Sequence, residues 1–282
     1  MLVNTKEMLE QARIGKYAIP HFNINNLEWT RFILEECNKN NSPVILGVSE
    51  GAGKYMGGFN VISAMVSELV KSLDIKVPVA LHLDHGSSIE SCISAIDNGF
   101  TSVMIDASKY ELEENIRITK EVVEYAKKYN VTVEAEVGHI GGTEDGITDE
   151  LAYAKVEDAV RLYKETNIDS IAPALGSVHG LYKGEPKLDF DKMKEIAELT
   201  SIPLVLHGGT GIDDEKIKKA IQSGICKLNI NTELQIEWAT EVRKYVNSND
   251  EYDPRKIIKS GELAIKNAIE NKIKLLGSLN KS

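Results

Sequence analysis

Short apolar, β-rich runs alternate with helical periods along nearly the whole of this 282-residue chain. Strand patterns fall at 17–22, 43–49, 77–83, 101–105, 131–137, 168–175, 202–206 and 226–230. A short amphipathic helix at 5–14, with Thr5 as its cap, precedes them. Helical periods then follow each strand in turn, ending near residues 40 and 73, opening after Ser87 or Ser88, and spanning 111–129, 156–166, 190–199, 214–222 and the stretch from 232. Runs of this kind separated by helices form parallel sheets buried on both faces. Eight strands, each followed by a helix, predict a (β/α)8 or TIM barrel. One domain over 1–282 is expected, with 255–279 a C-terminal helical extension carrying Ile258, Ile265, Ile269, Ile273 and Leu276 at helical spacing. Residues 51–59 and 138–154 read as loops.

Composition narrows the function. Formal net charge is −10, and nucleic acid or an anionic membrane surface calls for a basic face instead. The apolar runs are far shorter than a membrane span, and the N-terminal residues lack a signal-peptide pattern. Cys37, Cys92 and Cys226 are scattered, with no CxxC pair, as buried thiols of a reducing compartment would be. A cytoplasmic protein is expected.

In a parallel barrel the C-terminal strand ends share one face, and catalytic groups are mounted there. Asp84, His85, Asp106, Glu136, His179 and His207 all fall at or just past predicted strand ends. One such histidine is weak evidence, but three converging on one crevice suit zinc, with a ligand position left open for chemistry. His82 sits two residues earlier on its strand and is assigned to the barrel interior or to the layer just behind the site. His21 and His139 are more remote candidates. Asp84 beside His85 poses a geometric problem, because successive strand residues face opposite ways. Both reach the site only if the strand ends there, as Gly86 allows, leaving Asp84 free to exchange a proton with substrate.

Glycine-rich turns after the seventh and eighth strands are the usual phosphate site of this architecture. Here they read Gly208-Gly209-Thr210-Gly211 and Asn229-Ile230-Asn231-Thr232, each opening a helix. Bare backbone N–H groups and helix N-termini would hold an anion, with Asp213 and Asp214 turned outward. Lys183 and Arg255 are candidate phosphate contacts. Glu144, in the long loop, is a candidate base that completes the site.

Taken together, HFNINN (21–26), VSEGAGKYMGGF (48–59), HLDHGSS (82–88), SVMIDAS (102–108), EAEVG (134–138), GGTEDG (141–146), APALGSVHGLYKGEP (172–186), LHGGTGI (206–212), NINTE (229–233) and YDPRK (252–256) make the chain resemble the class II, metal-dependent fructose-1,6-bisphosphate aldolases, in their compact bacterial branch. The resemblance covers nearly the whole chain. It implies zinc on His85, His179 and His207, and an alternate or second cation position at Asp106 and Glu136. Asp84 would give a proton to the aldehyde oxygen, and Glu144 would move protons at the carbon of dihydroxyacetone phosphate. Gly180, Gly208, Gly209, Thr210, Asn229, Ile230, Asn231 and Thr232 would bind that substrate, with Lys183 and Ser49 nearby and Asn23 close to the sugar. Arg255 would reach the far phosphate, often from the second subunit of a homodimer.

Aldol cleavage leaves a carbanion beside a carbonyl, which a divalent ion stabilises. The Schiff-base route needs a lysine beside the substrate. The sixth strand, IDSIAPAL, has none, and Lys227 stands mid-strand in the eighth. Tagatose-bisphosphate aldolases look similar around the histidines but differ at Asn231 and at Gly208–Gly211, where this chain follows the fructose pattern. His139 departs from the family at a variable position. A phosphosugar isomerase or epimerase, or a non-catalytic phosphosugar-binding protein, are the readings from other classes.

Overall fold

The computed structural model describes residues 2–282 except 145–146, 150, 181–183 and 185, with 143–144 and 147–149 described by backbone alone. In chain order the strands are β1 (Ile19–Asn23), β2 (Val44–Val48), β3 (Val79–Gly86), β4 (Ser102–Ile105), β5 (Thr132–Val137), β6 (Gly141–Glu144), β7 (Ile147–Asp149), β8 (Ser170–Pro173), β9 (Val178–His179), β10 (Leu204–Leu206) and β11 (Ile225–Ile230). All but β6, β7 and β9 close into one eight-stranded parallel barrel. The seam is the pairing of first and last strands, with Ile19 opposite Lys227 and His21 opposite Asn229. The helices are α1 (Lys6–Gly15), α2 (Leu27–Lys39), α3 (Glu50–Tyr55), α4 (Phe59–Ser72), α5 (Ile89–Asp97), α6 (Leu112–Lys127), α7 (Val156–Thr166), α8 (Phe190–Thr200), α9 (Asp214–Gln222), α10 (Thr232–Ser248), α11 (Pro254–Lys259) and α12 (Glu262–Leu276). The chain is thus the (β/α)8 barrel that its alternation predicts.

Two apolar layers hold it together. Outward residues such as Phe22, Leu46, Leu81 and Val103 pack against the inner faces of the helices, among them Phe32, Ile62, Val122 and Leu162. Inside, Ile19, Ile45 and Ala80 fill the bottom, where α1 plugs the barrel with Met8, Leu9 and Ala12. Each strand then turns polar toward its C-terminal end: Ile19 gives way to His21 and Asn23, and Ala80 to His82 and Asp84. The alternating period of a strand puts each of these sets on one face.

Four local readings are corrected. Residues 51–59 are not all loop, since Ser49 accepts a hydrogen bond from the Ala52 N–H and starts α3. The stretch 138–154 contains the hairpin β6–β7, which with β9 forms a small three-stranded sheet. Its sequence lacks strand alternation, and β6 pairs with β7 on one edge and with β9 on the other. The tail is two helices rather than one: Gly261 lies so close to Trp238 that an added Cβ would sit 2.2 Å from Cδ1 of the indole. Of the two, α12 packs against β1, α2 and α9, so it fills a place in the helical ring, while α10 buries only Leu234. Thr5 occupies the cap position of α1, but its hydroxyl bonds that of Thr132 at 2.8 Å instead of capping.

Candidate metal centre and active site

His85, His179 and His207 come from three separate segments and meet at the barrel mouth. One ring nitrogen from each lies within 4.8 Å of the others, and the ring centroids are 4.7 to 5.8 Å apart. The conflict between Asp84 and His85 is resolved by the backbone. The β3–β4 register shifts between Leu83 and Gly86, and His85 takes a left-handed φ of +50°. Such a bulge re-aims a side chain, so adjacent residues both reach the mouth. Gly86 is required there, since a Cβ would meet the Met104 carbonyl, Cys92 Sγ and Leu83 within 2.9 Å.

The outward nitrogens of two of these histidines are tied to carboxylates. His85 Nδ1 lies 3.0 Å from Asp106 Oδ2, and His207 Nε2 lies 2.9 Å from Glu134 Oε1. With each N–H donated to its carboxylate, His85 Nε2 and His207 Nδ1 face each other 2.9 Å apart with both lone pairs inward. Asn229 Nδ2 lies as a donor 3.1 Å from His207 Nδ1, and a cation between the two ring nitrogens would relieve the repulsion of their lone pairs, so the donor set fits a bound metal. A carboxylate behind a ligating imidazole is the usual orienting partner. Burial, then the neighbouring rings, pushes His179 well below the ordinary imidazole range, and burial also lowers His207. Both are therefore in the neutral, ligating form.

A second set, His85, Asp106 and Glu136, also has donor atoms within 4.8 Å of one another. Glu136 is buried, its Oε2 makes no hydrogen bond, and that atom lies 3.9 Å from His85 Nδ1. Burial and then the charge of Asp106 push its carboxyl well above the usual range. A cation there would relieve both penalties.

Asp84 lies beneath the mouth, buried, and accepts from Asn23 Nδ2 at 2.8 Å and Asn229 Nδ2 at 3.2 Å. Burial opposes its charge, but His21, His85, His207 and Lys227 outweigh it and hold the carboxyl well below its ordinary range. Beside it is a cavity of ≈260 Å³ whose lining includes Asn23, His179, Gly180, Gly208, Thr210 and Asn231. Gly209, Asn229 and Thr232 line it too. Asn229 and Asn231 each bring a buried carbonyl oxygen with no hydrogen bond. Ile230 is buried in the strand that carries them. The Gly209 N–H is already given to the Asn229 carbonyl, so it holds the two loops together. Asp213 and Asp214 are exposed, as expected.

Other expected residues stand apart. Ser49 is committed to capping α3. Arg255 is 88% exposed in its side chain, pairs with Asp253, and is not among the residues lining this cavity. Lys183 and the side chain of Glu144 lie outside the described residues. His139 bonds the Ser108 hydroxyl at 2.7 Å.

A deeper polar layer was missed by sequence reasoning. Lys227 Nζ donates to Glu134 Oε2 at 2.8 Å and lies 3.4 Å from His82 Nε2, whose other nitrogen meets Ser102 at 2.8 Å. His21 stands edge-on to His82, in space that Gly47 leaves open. Glu134 shares the inward face of β5 with Glu136, two residues on, which is the signal that could have flagged it. The buried Lys227–Glu134 pair explains why this lysine is no Schiff-base nucleophile.

The fold and site together define a parallel barrel whose mouth carries a candidate metal centre beside a polar cavity. Residues 3–281 match the family described as fructose-bisphosphate aldolase class-II. Over 283 residues the chain is 56% identical to the fructose-bisphosphate aldolase of Geobacillus stearothermophilus, covering 100% of this chain and 99% of that one. The corresponding protein of Staphylococcus aureus strain N315 is 54% identical with the same coverage. Among solved structures, the YdjI aldolase of Escherichia coli K12 superposes with a TM-score of 0.87 at 35% identity, covering 100% of this chain and 99% of that one. The fructose-bisphosphate aldolase of Campylobacter jejuni gives 0.86 at 27% identity, with 100% and 97% covered. The chain belongs to the class-II fructose-bisphosphate aldolase family and is an aldolase, a carbon–carbon lyase.

Two predictions follow from the buried layer. Glu134→Gln removes the charge that orients His207, and zinc affinity, measured by chelator competition, should fall about 10- to 100-fold; unchanged affinity contradicts the assignment. Burial, and then Lys227, lowers the His21 imidazole to about 3, against 6.5 in an unfolded chain. The folded state therefore resists a proton that the unfolded state accepts. Its contribution is complete above pH 6.5 and is lost as pH falls toward 3, by up to about 1.4 kcal/mol per pH unit. In metal-free protein, urea titrations between pH 7 and 4 should show a shallower decline for His21→Gln than for wild type, and parallel curves would contradict this.

Proposed function

We propose that this protein reversibly cleaves fructose 1,6-bisphosphate to dihydroxyacetone phosphate and glyceraldehyde 3-phosphate, as a zinc-dependent glycolytic enzyme of the cytoplasm. The observation that carries the reading is the meeting of three imidazoles with an ionised, amide-bound Asp84 at the edge of a cavity walled by two glycine- and asparagine-rich turns. His85, His179 and His207 would hold Zn2+, with Asp106 and Glu136 offering a further cation position. The ion, when bound, supplies Lewis-acid stabilisation of the negative charge that builds beside the carbonyl as the carbon–carbon bond breaks.

The residues of the chain handle protons and position. In the cleavage direction Asp84 accepts the proton of the hydroxyl that becomes the aldehyde oxygen, and in condensation it returns it. Asn23 and Asn229 fix both of its oxygens, so no reorientation is needed at the moment of transfer. Glu144 would then deliver a proton to the carbon of the departing triose. The phosphate of that triose would be held at Gly180, at Gly208–Gly211 and at the N-terminus of α10, where Asn231 and Thr232 open the helix. Lys183 would add a positive charge there. Buried carbonyl oxygens on Asn229 and Asn231 would accept from sugar hydroxyls. Arg255, exposed and not among the residues lining the cavity of its own chain, would grip the far phosphate across a homodimer.

Asp84→Ala should lower kcat by about 10²- to 10⁴-fold while leaving metal content unchanged. Triose release should be faster from fructose than from tagatose bisphosphate, and chelation followed by dialysis should abolish it. Full activity in the metal-stripped protein would contradict the proposal.

A further inference from the structure

His85 and His207 sit at or just past the ends of barrel strands, so the barrel itself sets their positions. His179 does not. It lies in β9, a two-residue strand outside the barrel, and its backbone pairs with β6: Gly141 opposite Val178 and Gly142 opposite His179, in parallel. The contact needs glycine. Gly142 has a φ of +106°, and an added Cβ would lie 2.3 Å from the His179 carbonyl oxygen and 2.5 Å from its nitrogen. These atoms are backbone, so nothing can swing aside. The residue before His179 is held in the same way. Gly208, directly after His207, has a φ of +65°, and a Cβ there would lie 2.1 Å from the Val178 carbonyl oxygen. The histidine that the barrel does not place is thus set by two bare backbones, one of them in the strand that carries Glu144 two residues later.

We propose that Gly142 is a positioning residue for the metal centre: it allows β6 to fix the backbone of His179, and so couples metal binding to the placement of the strand carrying Glu144. The proposal rests on the reading of His85, His179 and His207 as the ion's ligands. Coupling of this kind is reciprocal. Whatever β6 contributes to metal affinity, metal returns as added order in β6.

The test uses the full-length protein, stripped of metal and titrated with Co2+ in competition with a chromogenic chelator. Gly142→Ala should bind Co2+ about 10- to 100-fold more weakly than wild type, with its visible absorption spectrum shifted toward that of His179→Ala. Gly184→Ala, where an added Cβ meets nothing within 4 Å, should match wild type in both. Failure of wild type to bind Co2+ would remove the metal reading itself. Wild-type affinity and spectrum in Gly142→Ala would overturn the positioning role alone. Should Gly142→Ala not fold, amide exchange in wild type decides. Saturating Zn2+ should slow exchange at least tenfold in 140–144 and 178–179 and leave β2 unchanged, and no slowing in 140–144 overturns the proposal.

Discussion

Closure of the barrel is the constraint on which the site depends. When β11 pairs with β1, Asn229 comes level with His21, and the two strands most distant in sequence become neighbours. Asn23 and Asn229 can then reach Asp84 from both sides. An open sheet of the same strands would leave Asp84 with one partner and a charge exposed to water. Closure also removes the sheet edges, so the polar ends of the strands point into one mouth.

That mouth stands on buried charge. Lys227 and Glu134 are each almost fully inaccessible, at 1% and 2%, and removing such groups from water costs several kcal/mol per ion. An apolar pair of equal volume would serve stability as well or better. What an apolar pair cannot do is accept the His207 Nε2–H and so keep Nδ1, the nitrogen facing His85, as the lone-pair side of the ring. The ionic layer is therefore better understood as serving the metal centre than the fold. The same holds for the left-handed backbone at His85, a local strain tolerated because it turns the ring toward its partners.

The architecture was largely legible in the sequence because the barrel strands are short, mostly apolar runs separated by stretches of helical period. His85 and His207 were legible because they stand where barrel strands end, whereas His179 lies beyond its barrel strand, in β9. What was not legible depends on contacts between distant segments. The hairpin β6–β7 has no apolar period to announce it, and its sheet is completed by β9, more than thirty residues further on. The tail break at Gly261 comes from Trp238, and the bulge at His85 from its register with β4. Glu134 and Lys227 lie on strands far apart in sequence, and only the closed barrel makes them a pair. Arg255 illustrates the reverse case: its motif is readable, yet its own chain leaves it in solvent.

The central claim is that one divalent ion is shared by His85, His179 and His207. Anomalous diffraction from crystals of the purified protein, recorded on both sides of the zinc absorption edge, tests it directly. The account predicts a single strong peak bonded to His85 Nε2, His207 Nδ1 and an imidazole nitrogen of His179 at about 2.0–2.1 Å. A map with no peak among these rings, or an ion held by other residues, would contradict it.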